Sequence, residues 1–221
     1  MKERPILFSE EMVRAILDGR KMVTRRIVKP QYIDPTWSVR PTHCPRHSRH
    51  SHDWWLPSGS QAYAALPHCP YGNPGDRLWV RETWARVGNC DPGYLTYRAT
   101  YPDCLPADLE NVPADLHSVG ERWRPSIHMP RSACRILLEL VALRVERLNV
   151  ISEQQAEREG ADPIPTAGLQ PDELDLLDLL LIDQENPYRP GFAALWESIN
   201  GPGSWAANPW VWVVEFKRVK P

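Results

Sequence analysis

The residues of this chain best suited to chemistry lie at positions 19–26, where a lysine, a threonine hydroxyl and several arginines follow one another closely. If this segment extends as a strand, Thr24 and Arg26 project from the same face, with Lys21 in the turn just before them. A lysine amine acts as a base only if its pKa falls from about 10.4 towards neutrality, and burial beside an arginine favours that fall. The segment therefore predicts a pocket for an anion or a nucleotide, although a basic hairpin exposed to solvent fits the same residues.

A short amphipathic helix is predicted at residues 10–18, directly before this segment. Ser9 is a suitable N-cap, and Gly19 stands where a left-handed residue commonly follows the end of a helix. The helix would therefore end at the start of the candidate pocket and position it. Its apolar residues at helical spacing are Met12, Val13, Ile16 and Leu17.

The pattern Gly-x-Lys-x-x-Thr-x-Arg, formed by Gly19, Lys21, Thr24 and Arg26, resembles the signature of ASCH domains. These domains are a PUA-like β-barrel family linked to RNA and to modified nucleosides. The resemblance implies an α+β fold, a PUA-like mixed β-barrel with peripheral helices, which in this chain would carry long irregular insertions.

Three further segments follow the order of the family, and the resemblance covers about half of the chain. Residues 74–80 resemble the Gly-Asp turn that opens a barrel strand, residues 151–160 the short acidic helix, and residues 212–217 the closing strand. The chain is more similar still to a group of larger ASCH-domain proteins common in phages and prophages. Motifs like those of that group lie at residues 2–9, 81–84 and 196–201.

The resemblance also implies a set of catalytic residues. In the small family members that remove the acetyl group from N4-acetylcytidine, the proposed catalytic lysine, threonine and helix glutamate match Lys21, Thr24 and Glu159 of this chain. Thr24 would be the nucleophile, Lys21 its base, and Glu159 the group that orients Lys21 or passes a proton to the leaving amine. The backbone at Gly19 or the side chain of Arg26 would stabilise the oxyanion. An ordinary strand threonine and one glutamate among several on a helix are the simpler alternatives.

Two groups of residues are expected to bind a nucleotide. One group follows the first helix. The other lies in a segment where tryptophans flank the charged pair Arg81 and Glu82. There Trp84 could stack on a base while Arg81 or Glu82 contacts the edge of that base. Packing in the core is the alternative for Trp84, as for most of the ten tryptophans of the chain. The predicted nucleotide-binding residues are Gly19, Arg20, Arg26, Arg81, Glu82 and Trp84.

A zinc site is a weaker possibility in the segment rich in cysteine and histidine. Its spacing differs from that of standard zinc fingers, adjacent donors are awkward, and loop histidines are usually polar surface. We therefore predict no metal and no cofactor. The weak candidate ligands are Cys44, His47, His68 and Cys69.

Composition limits the classes of function. The 221 residues carry a formal net charge of −2, which does not indicate a nonspecific binder of polyanions. The length predicts a single domain over residues 1–221 with a proper core, and the resemblance implies that this domain is ASCH/PUA-like. No apolar run approaches the roughly 18 residues of a membrane span, and the chain opens on a predicted strand instead of a signal peptide. We expect a cytoplasmic protein with no membrane partner, whose five cysteines are reduced.

Insertions are predicted at about residues 31–70, 85–128 and 161–190. The first is expected to wrap the barrel as irregular structure, and the second contains a credible strand at residues 94–99. The third is predicted to hold an acidic amphipathic helix at residues 171–184, which we expect to pack on the domain.

The other regular elements are predicted from periodicity and capping. The best-marked helix begins after Ser152, which can form a capping box with Gln155, and ends at Gly160. A further helix is predicted at residues 192–199. Strands are predicted at residues 135–140, 142–148 and 210–217.

Three functions fit these residues. The leading hypothesis is a protein that recognises a nucleoside or single-stranded nucleic acid and hydrolyses an amide on an acylated, N4-acetylcytidine-like base. The alternatives are a non-catalytic RNA-binding protein of a phage or prophage, and an ASCH-type ribonuclease that uses the pocket around Lys21 and Arg26. The expected partner is a nucleoside or single-stranded RNA, with DNA also possible.

Overall fold

The computed structural model describes residues 1–31, 36–47, 50–87, 93–106, 122–163 and 187–220. Its α-helices are α1 (Glu10–Leu17), α2 (Glu153–Arg158) and α3 (Tyr188–Asn200). Its strands are β1 (Glu3–Leu7), β2 (Val23–Ile27), β3 (Ser38–Pro41), β4 (His52–Trp55), β5 (Ala62–Ala65), β6 (Arg77–Arg81), β7 (Trp84–Val87), β8 (Tyr94–Tyr97), β9 (Leu137–Arg147) and β10 (Trp210–Val219). None of the described helices is long and apolar enough to cross a membrane.

The largest sheet has five strands in the order β1-β6-β9-β10-β2. β1 and β6 pair in parallel, whereas the other neighbours are antiparallel. The long strands β9 and β10 pair along nearly their whole length, with one irregularity between Glu215 and Phe216. Among the described strands β2 pairs with β10 alone, so β2 forms one edge of the sheet.

The remaining strands form a three-stranded sheet, β3-β4-β5, and a hairpin of β7 and β8. The two edge strands of the main sheet, β1 and β2, lie close to each other. The Arg26 side chain in β2 donates a hydrogen bond to the Leu7 carbonyl of β1 at 2.7 Å. No backbone ladder joins these two edges in the described part of the chain. The predicted α+β class is confirmed, whereas closure of a barrel is not seen.

One prediction of local structure is wrong, that of an irregular first insertion, and another is refined. The strands predicted at residues 135–140 and 142–148 are confirmed over Leu137–Arg147, where they form the single strand β9, which continues through the exposed Val141. The first insertion contains the sheet β3-β4-β5, which Trp54 anchors by packing edge-on against Trp210, with ring centres 6.1 Å apart. The predicted strand of the second insertion forms as β8, and the helix predicted at residues 171–184 lies outside the described residues.

Two clusters of buried apolar side chains cover the opposite faces of the main sheet. Alternate residues of β10 enter different clusters, as the predicted strand periodicity requires. One face of β10 meets α1 and the strands β1 and β6, and the other face meets α2 and α3. The first cluster receives Trp210, Trp212, Val214 and Phe216 from β10, and the second receives Val211 and Val213.

Asp76 joins the beginnings of β1 and β6. Its carboxylate accepts hydrogen bonds from the Lys2 N–H at 2.8 Å and from the Arg4 guanidinium at 2.9 Å. A third bond comes from the Asn73 N–H at 3.3 Å, across the turn in which Gly75 has a φ of +88°. These donors lower the pKa of Asp76 to about 2, since they stabilise the ionised form.

Candidate functional site

The turn between α1 and β2 directs Lys21 into the interior. Gly19 has a φ of +76°, the left-handed conformation predicted for this position, and the amides of Arg20 and Lys21 both donate to the Ala15 carbonyl at 2.9 Å. These bonds close the end of α1 before the chain enters β2. As a result Lys21 is only 2% exposed.

The end of α2 packs against this turn. The Met22 N–H donates to the Arg158 carbonyl at 2.8 Å. Gly160 follows with a φ of +73°, and a β-carbon there would lie 2.8 Å from that of Ala15 and 3.0 Å from that of Lys21. Only glycine suits this approach. The contact brings Glu159 alongside Lys21, although the two are 138 positions apart.

Lys21 and Glu159 form a buried ion pair. The Lys21 Nζ lies 2.8 Å from Glu159 Oε2 and also donates to the Glu159 carbonyl oxygen at 2.6 Å. Their side chains are 1% and 3% exposed, so water does not screen the two charges. The structure therefore unites two of the three predicted catalytic residues.

Arg25 is a second cation on the same carboxylate, and the sequence analysis did not assign it to the site. Its buried side chain donates to Glu159 Oε1 at 3.1 Å and to Gln155 Oε1 at 2.8 Å. The Glu146 carboxylate lies 3.5 Å from the same guanidinium. Each oxygen of Glu159 is thus held by a different cation.

Burial lowers the pKa of Lys21 below the ordinary lysine value of 10.5, because desolvation penalises the ammonium form. Attraction to Glu159 raises the Lys21 pKa, whereas repulsion from the positive charges of Arg26 and Arg25 lowers it further. A lowered pKa makes the neutral amine, the form that accepts a proton, easier to reach.

Thr24 and Glu159 line a cavity of about 220 Å³ beside β2. The Thr24 hydroxyl has no hydrogen-bond partner among the described residues. In particular, it does not bond to Lys21, the partner expected from the sequence, whose Nζ contacts Glu159. The direct contact between amine and hydroxyl is therefore missing, because the Lys21 Nζ is turned towards Glu159. We call this space the Thr24 cavity. Its apolar wall contains Met12, Tyr71, Phe192, Leu195, Trp196 and Ile199.

A larger cavity of about 560 Å³ adjoins the Thr24 cavity and shares Met12, Arg26 and Ile199 with it. The Arg26 guanidinium lies at this junction, 5.4 Å from the centre of the Phe8 ring. Arg98 lines the far side of the larger cavity and pairs with Glu10 at 3.3 Å. The two spaces together form a groove with an arginine in each part.

Gly19 and Arg20 do not line the Thr24 cavity. They line a separate hollow of about 460 Å³ on the other side of the α1–β2 turn, together with residues of α2. Arg20 is directed to solvent and lies 3.5 Å from Asp18 and 3.7 Å from Asp162. Among the arginines and glycines predicted to bind a nucleotide, Arg26 alone borders the Thr24 cavity in the described structure.

Arg81, Glu82 and Trp84 are also away from the Thr24 cavity. Glu82 is 1% exposed and receives both arms of the Arg135 guanidinium, at 2.9 and 2.8 Å. Trp84 is 5% exposed and lies beneath Arg124, whose guanidinium is 5.0 Å from the ring centre. Arg81 donates to the Ile127 carbonyl and lies over the ring of Trp79. These side chains stabilise the fold at the junction of β6 and β7.

The weak zinc candidates do not converge. No group of three or more histidine, cysteine or acidic residues suited to a metal occurs within the described ranges. Cys44 and His68 are exposed, whereas burial raises the pKa of Cys69 to about 11. The nearby buried histidine is His50, which bonds Asp53 at 2.7 Å through one ring nitrogen and accepts the Arg46 N–H through the other.

The sequence analysis missed Arg25 and the contribution of α3 to the cavity wall. Arg25 lies in a run of cations that is equally typical of an exposed surface, and its partners are more than a hundred positions away. The helix predicted at residues 192–199 has an apolar face that indicates packing, but the sequence does not show which strand this face contacts. Its residues are Phe192, Leu195, Trp196 and Ile199.

Comparisons of the chain with protein-family models, with curated proteins and with solved structures gave no match. The resemblance to ASCH domains stays a prediction from the residue patterns around positions 19–26, 74–80, 151–160 and 212–217. The interpretation of the site depends on its own geometry.

Proposed function

We propose that this protein is an ASCH-type amidohydrolase that removes an acyl group from a modified nucleobase such as that of N4-acetylcytidine. The observation that carries the proposal is the buried Lys21–Glu159 pair, whose Glu159 lines the same cavity as Thr24. A buried amine with a lowered pKa, a hydroxyl and an orienting carboxylate are the groups that an acyl transfer needs.

In the proposed reaction the Thr24 hydroxyl oxygen attacks the acyl carbonyl carbon. The neutral Lys21 amine accepts the hydroxyl proton through one water molecule, or directly once its side chain turns. The C–N bond then breaks, and Lys21 returns the proton to the exocyclic amine of the base. Water hydrolyses the acyl-threonine ester by the same route and releases the carboxylic acid. Glu159 holds the amine in place, and Arg26, on the Thr24 face of β2, stabilises the oxyanion.

The size of the Thr24 cavity supports a single-ring substrate. Its volume of about 220 Å³ lies below the roughly 300–1,000 Å³ typical of sites for drug-sized ligands. One acylated base would fill it, while the sugar and any attached phosphate would extend past Arg26 into the larger cavity. The substrate would therefore be a nucleoside, or one residue turned out of a single strand.

The proposal is tested by incubating the purified protein with N4-acetylcytidine and, separately, with labelled single-stranded RNA and DNA. We expect cytidine and acetate from the nucleoside with the wild type, and none with Lys21→Met. The matched control is Lys217→Met, which removes an exposed lysine of the same sheet and should leave turnover unchanged. Cleaved strands without deacylation would support a ribonuclease and overturn the proposal.

A non-catalytic reader of single-stranded nucleic acid is the second candidate. It is favoured by one observation: Glu159 neutralises the Lys21 ammonium at 2.8 Å, and Lys21 itself is not among the residues that line the cavity. Such a pair also serves a purely structural role. A reader would bind RNA with strong salt dependence through Arg26 and Arg98 and would release no product.

A further inference from the structure

The edge strand β2 has backbone groups that bond to no other strand in the described part of the chain. Its register with β10 is uniform, from Val23↔Glu215 to Ile27↔Val211. The Phe216 N–H donates to the Met22 carbonyl at 2.9 Å, and the Val28 N–H donates to the Trp210 carbonyl at 3.0 Å. Because hydrogen-bonded residues alternate along an antiparallel pair, the even-numbered residues of β2 bond to β10. The N–H and C=O of Arg25 and Ile27 therefore point away from the sheet.

These outward groups border the Thr24 cavity. Four consecutive residues of β2, from Thr24 to Ile27, line it, as expected where a ligand space lies along the edge of a strand. No hydrogen bond to the backbone of Arg25 or Ile27 comes from a described residue outside the strand. An unpaired strand edge is a strong template for a partner with matching donors and acceptors.

We propose that the backbone of β2 at Arg25 and Ile27 reads the heteroatom edge of a planar nucleobase, as a neighbouring strand would read it. The proposal rests on the site of the proposed function and specifies how that site selects its ligand. A strand residue offers one donor and one acceptor on the same side, and a base such as cytosine or an N4-acylated cytosine carries donors and acceptors side by side on one edge.

The walls of the cavity agree with this orientation. Phe192 and Trp196 of α3 lie over β2, so the faces of a ring would meet apolar and aromatic side chains while its edge meets the strand. Enzymes that bind a base outside its helical stack combine these two contacts, stacking on the faces and hydrogen bonds on the edge. Backbone reading also makes selection independent of the side chains at positions 25 and 27.

The same geometry provides an internal control. Thr24 and Arg26 have their amides bonded to β10, since they stand in register with Val214 and Trp212. Ligand binding should therefore act differently on alternate amides of one strand. A general gain in stability would instead slow exchange mainly at Thr24 and Arg26, whose amides are already bonded to β10, so slowing confined to Arg25 and Ile27 indicates a ligand at the strand edge.

The test is amide-resolved NMR of the full chain, recorded alone and with cytidine, N4-acetylcytidine and 3-deazacytidine, which lacks the ring acceptor at position 3. We expect cytidine or its acetylated form to slow hydrogen exchange at Arg25 and Ile27 several-fold and to shift these amides, with little change at Thr24 and Arg26. The loss of one acceptor in 3-deazacytidine should weaken binding by about 3- to 10-fold.

Nucleosides that bind without changing the Arg25 and Ile27 amides would overturn the inference, and so would a complete lack of binding by all three compounds. Alternating protection with cytidine, but no deacylation of N4-acetylcytidine, would support base reading and refute the proposed hydrolysis. Deacylation of N4-acetylcytidine without alternating protection would support the proposed hydrolysis and refute base reading by the strand.

Discussion

The buried charges around Glu159 predict an unequal response to two substitutions. Glu159→Gln removes the negative charge that the Lys21 ammonium and the Arg25 guanidinium share, at 2.8 and 3.1 Å. Lys21→Met instead leaves Glu159 paired with Arg25. The first substitution therefore leaves Lys21 without its carboxylate and Arg25 with the more distant Glu146 alone, whereas the second leaves the Arg25–Glu159 pair intact.

The structure sets the size of each effect. The side chains of Arg25, Lys21 and Glu159 are 0%, 1% and 3% exposed, so solvent cannot replace a lost partner. Breaking a buried pair by removing one partner typically costs about 3–5 kcal/mol of unfolding free energy, and we expect Glu159→Gln to fall in this range. For Lys21→Met we expect about 1–2 kcal/mol, because methionine is close in volume and Arg25 still satisfies the carboxylate.

Urea denaturation followed by tryptophan fluorescence measures both effects. Glu139→Gln is the matched control, since it breaks a solvent-accessible pair with Lys217 at 3.0 Å, whose side chains are 60% (Lys217) and 30% (Glu139) exposed, and should cost less than about 1 kcal/mol. A Lys21→Met protein as destabilised as Glu159→Gln, or a Glu159→Gln protein as stable as the control, would refute the assignment of an ionised cluster.

The same variants have a predicted pH dependence. The pKa of Lys21 is lower in the folded protein than the ordinary value of 10.5, so between these two pKa values the unfolded chain binds the extra proton and unfolding free energy rises with pH. Glu159→Gln removes the carboxylate that raises the Lys21 pKa, which extends this window to lower pH. The stability deficit of Glu159→Gln should therefore shrink as the pH rises from neutrality towards the ordinary lysine pKa. An unchanged deficit would contradict a buried ammonium.

Three further predictions concern residues away from the Thr24 cavity. Because Arg135 pairs with Glu82, Glu82→Gln should lower the free energy of unfolding in urea by about 2–4 kcal/mol. The nucleoside affinity measured by calorimetry should not change, and a large loss of affinity would show that Glu82 belongs to the binding site. Trp84→Phe should likewise leave nucleoside affinity within about twofold, since the indole lies beneath Arg124 in the core. Asp76→Asn should cost about 2 kcal/mol at neutral pH, because the Asp76 pKa is about 2 instead of 3.8; the difference should disappear as the pH falls through that interval, and a difference that persists at the acid end would refute the assignment.

Local chemistry made several elements predictable from the sequence. Ser152 accepts from the Gln155 N–H while the Gln155 side chain accepts from the Ser152 N–H, which is the predicted capping box. Ser9 caps α1, and Gly19 follows it in the left-handed conformation. Each of these features depends on residues a few positions apart, so pattern alone determines it.

The parts of the site that depend on distant contacts could not be predicted in the same way. Arg25 and Arg26 are adjacent cations in the sequence, yet Arg25 is buried against Glu159 and Arg26 lies at the mouth of the cavity. Glu82 was expected at the site because of its neighbours in sequence, but Arg135, contributed from elsewhere in the chain, already neutralises it. Side-chain charge alone does not reveal which partner a fold supplies.

The most direct test of the amidohydrolase proposal is the rate of acetate release from N4-acetylcytidine by the wild type, Thr24→Ser and Thr24→Val, each shown to be folded by its urea transition. We predict turnover by the wild type, measurable turnover by Thr24→Ser, and a loss of at least about 100-fold in Thr24→Val, which keeps the shape of threonine without its hydroxyl. Acetate release by Thr24→Val at the wild-type rate, or none from the wild type, would contradict the proposed chemistry at Lys21, Thr24 and Glu159.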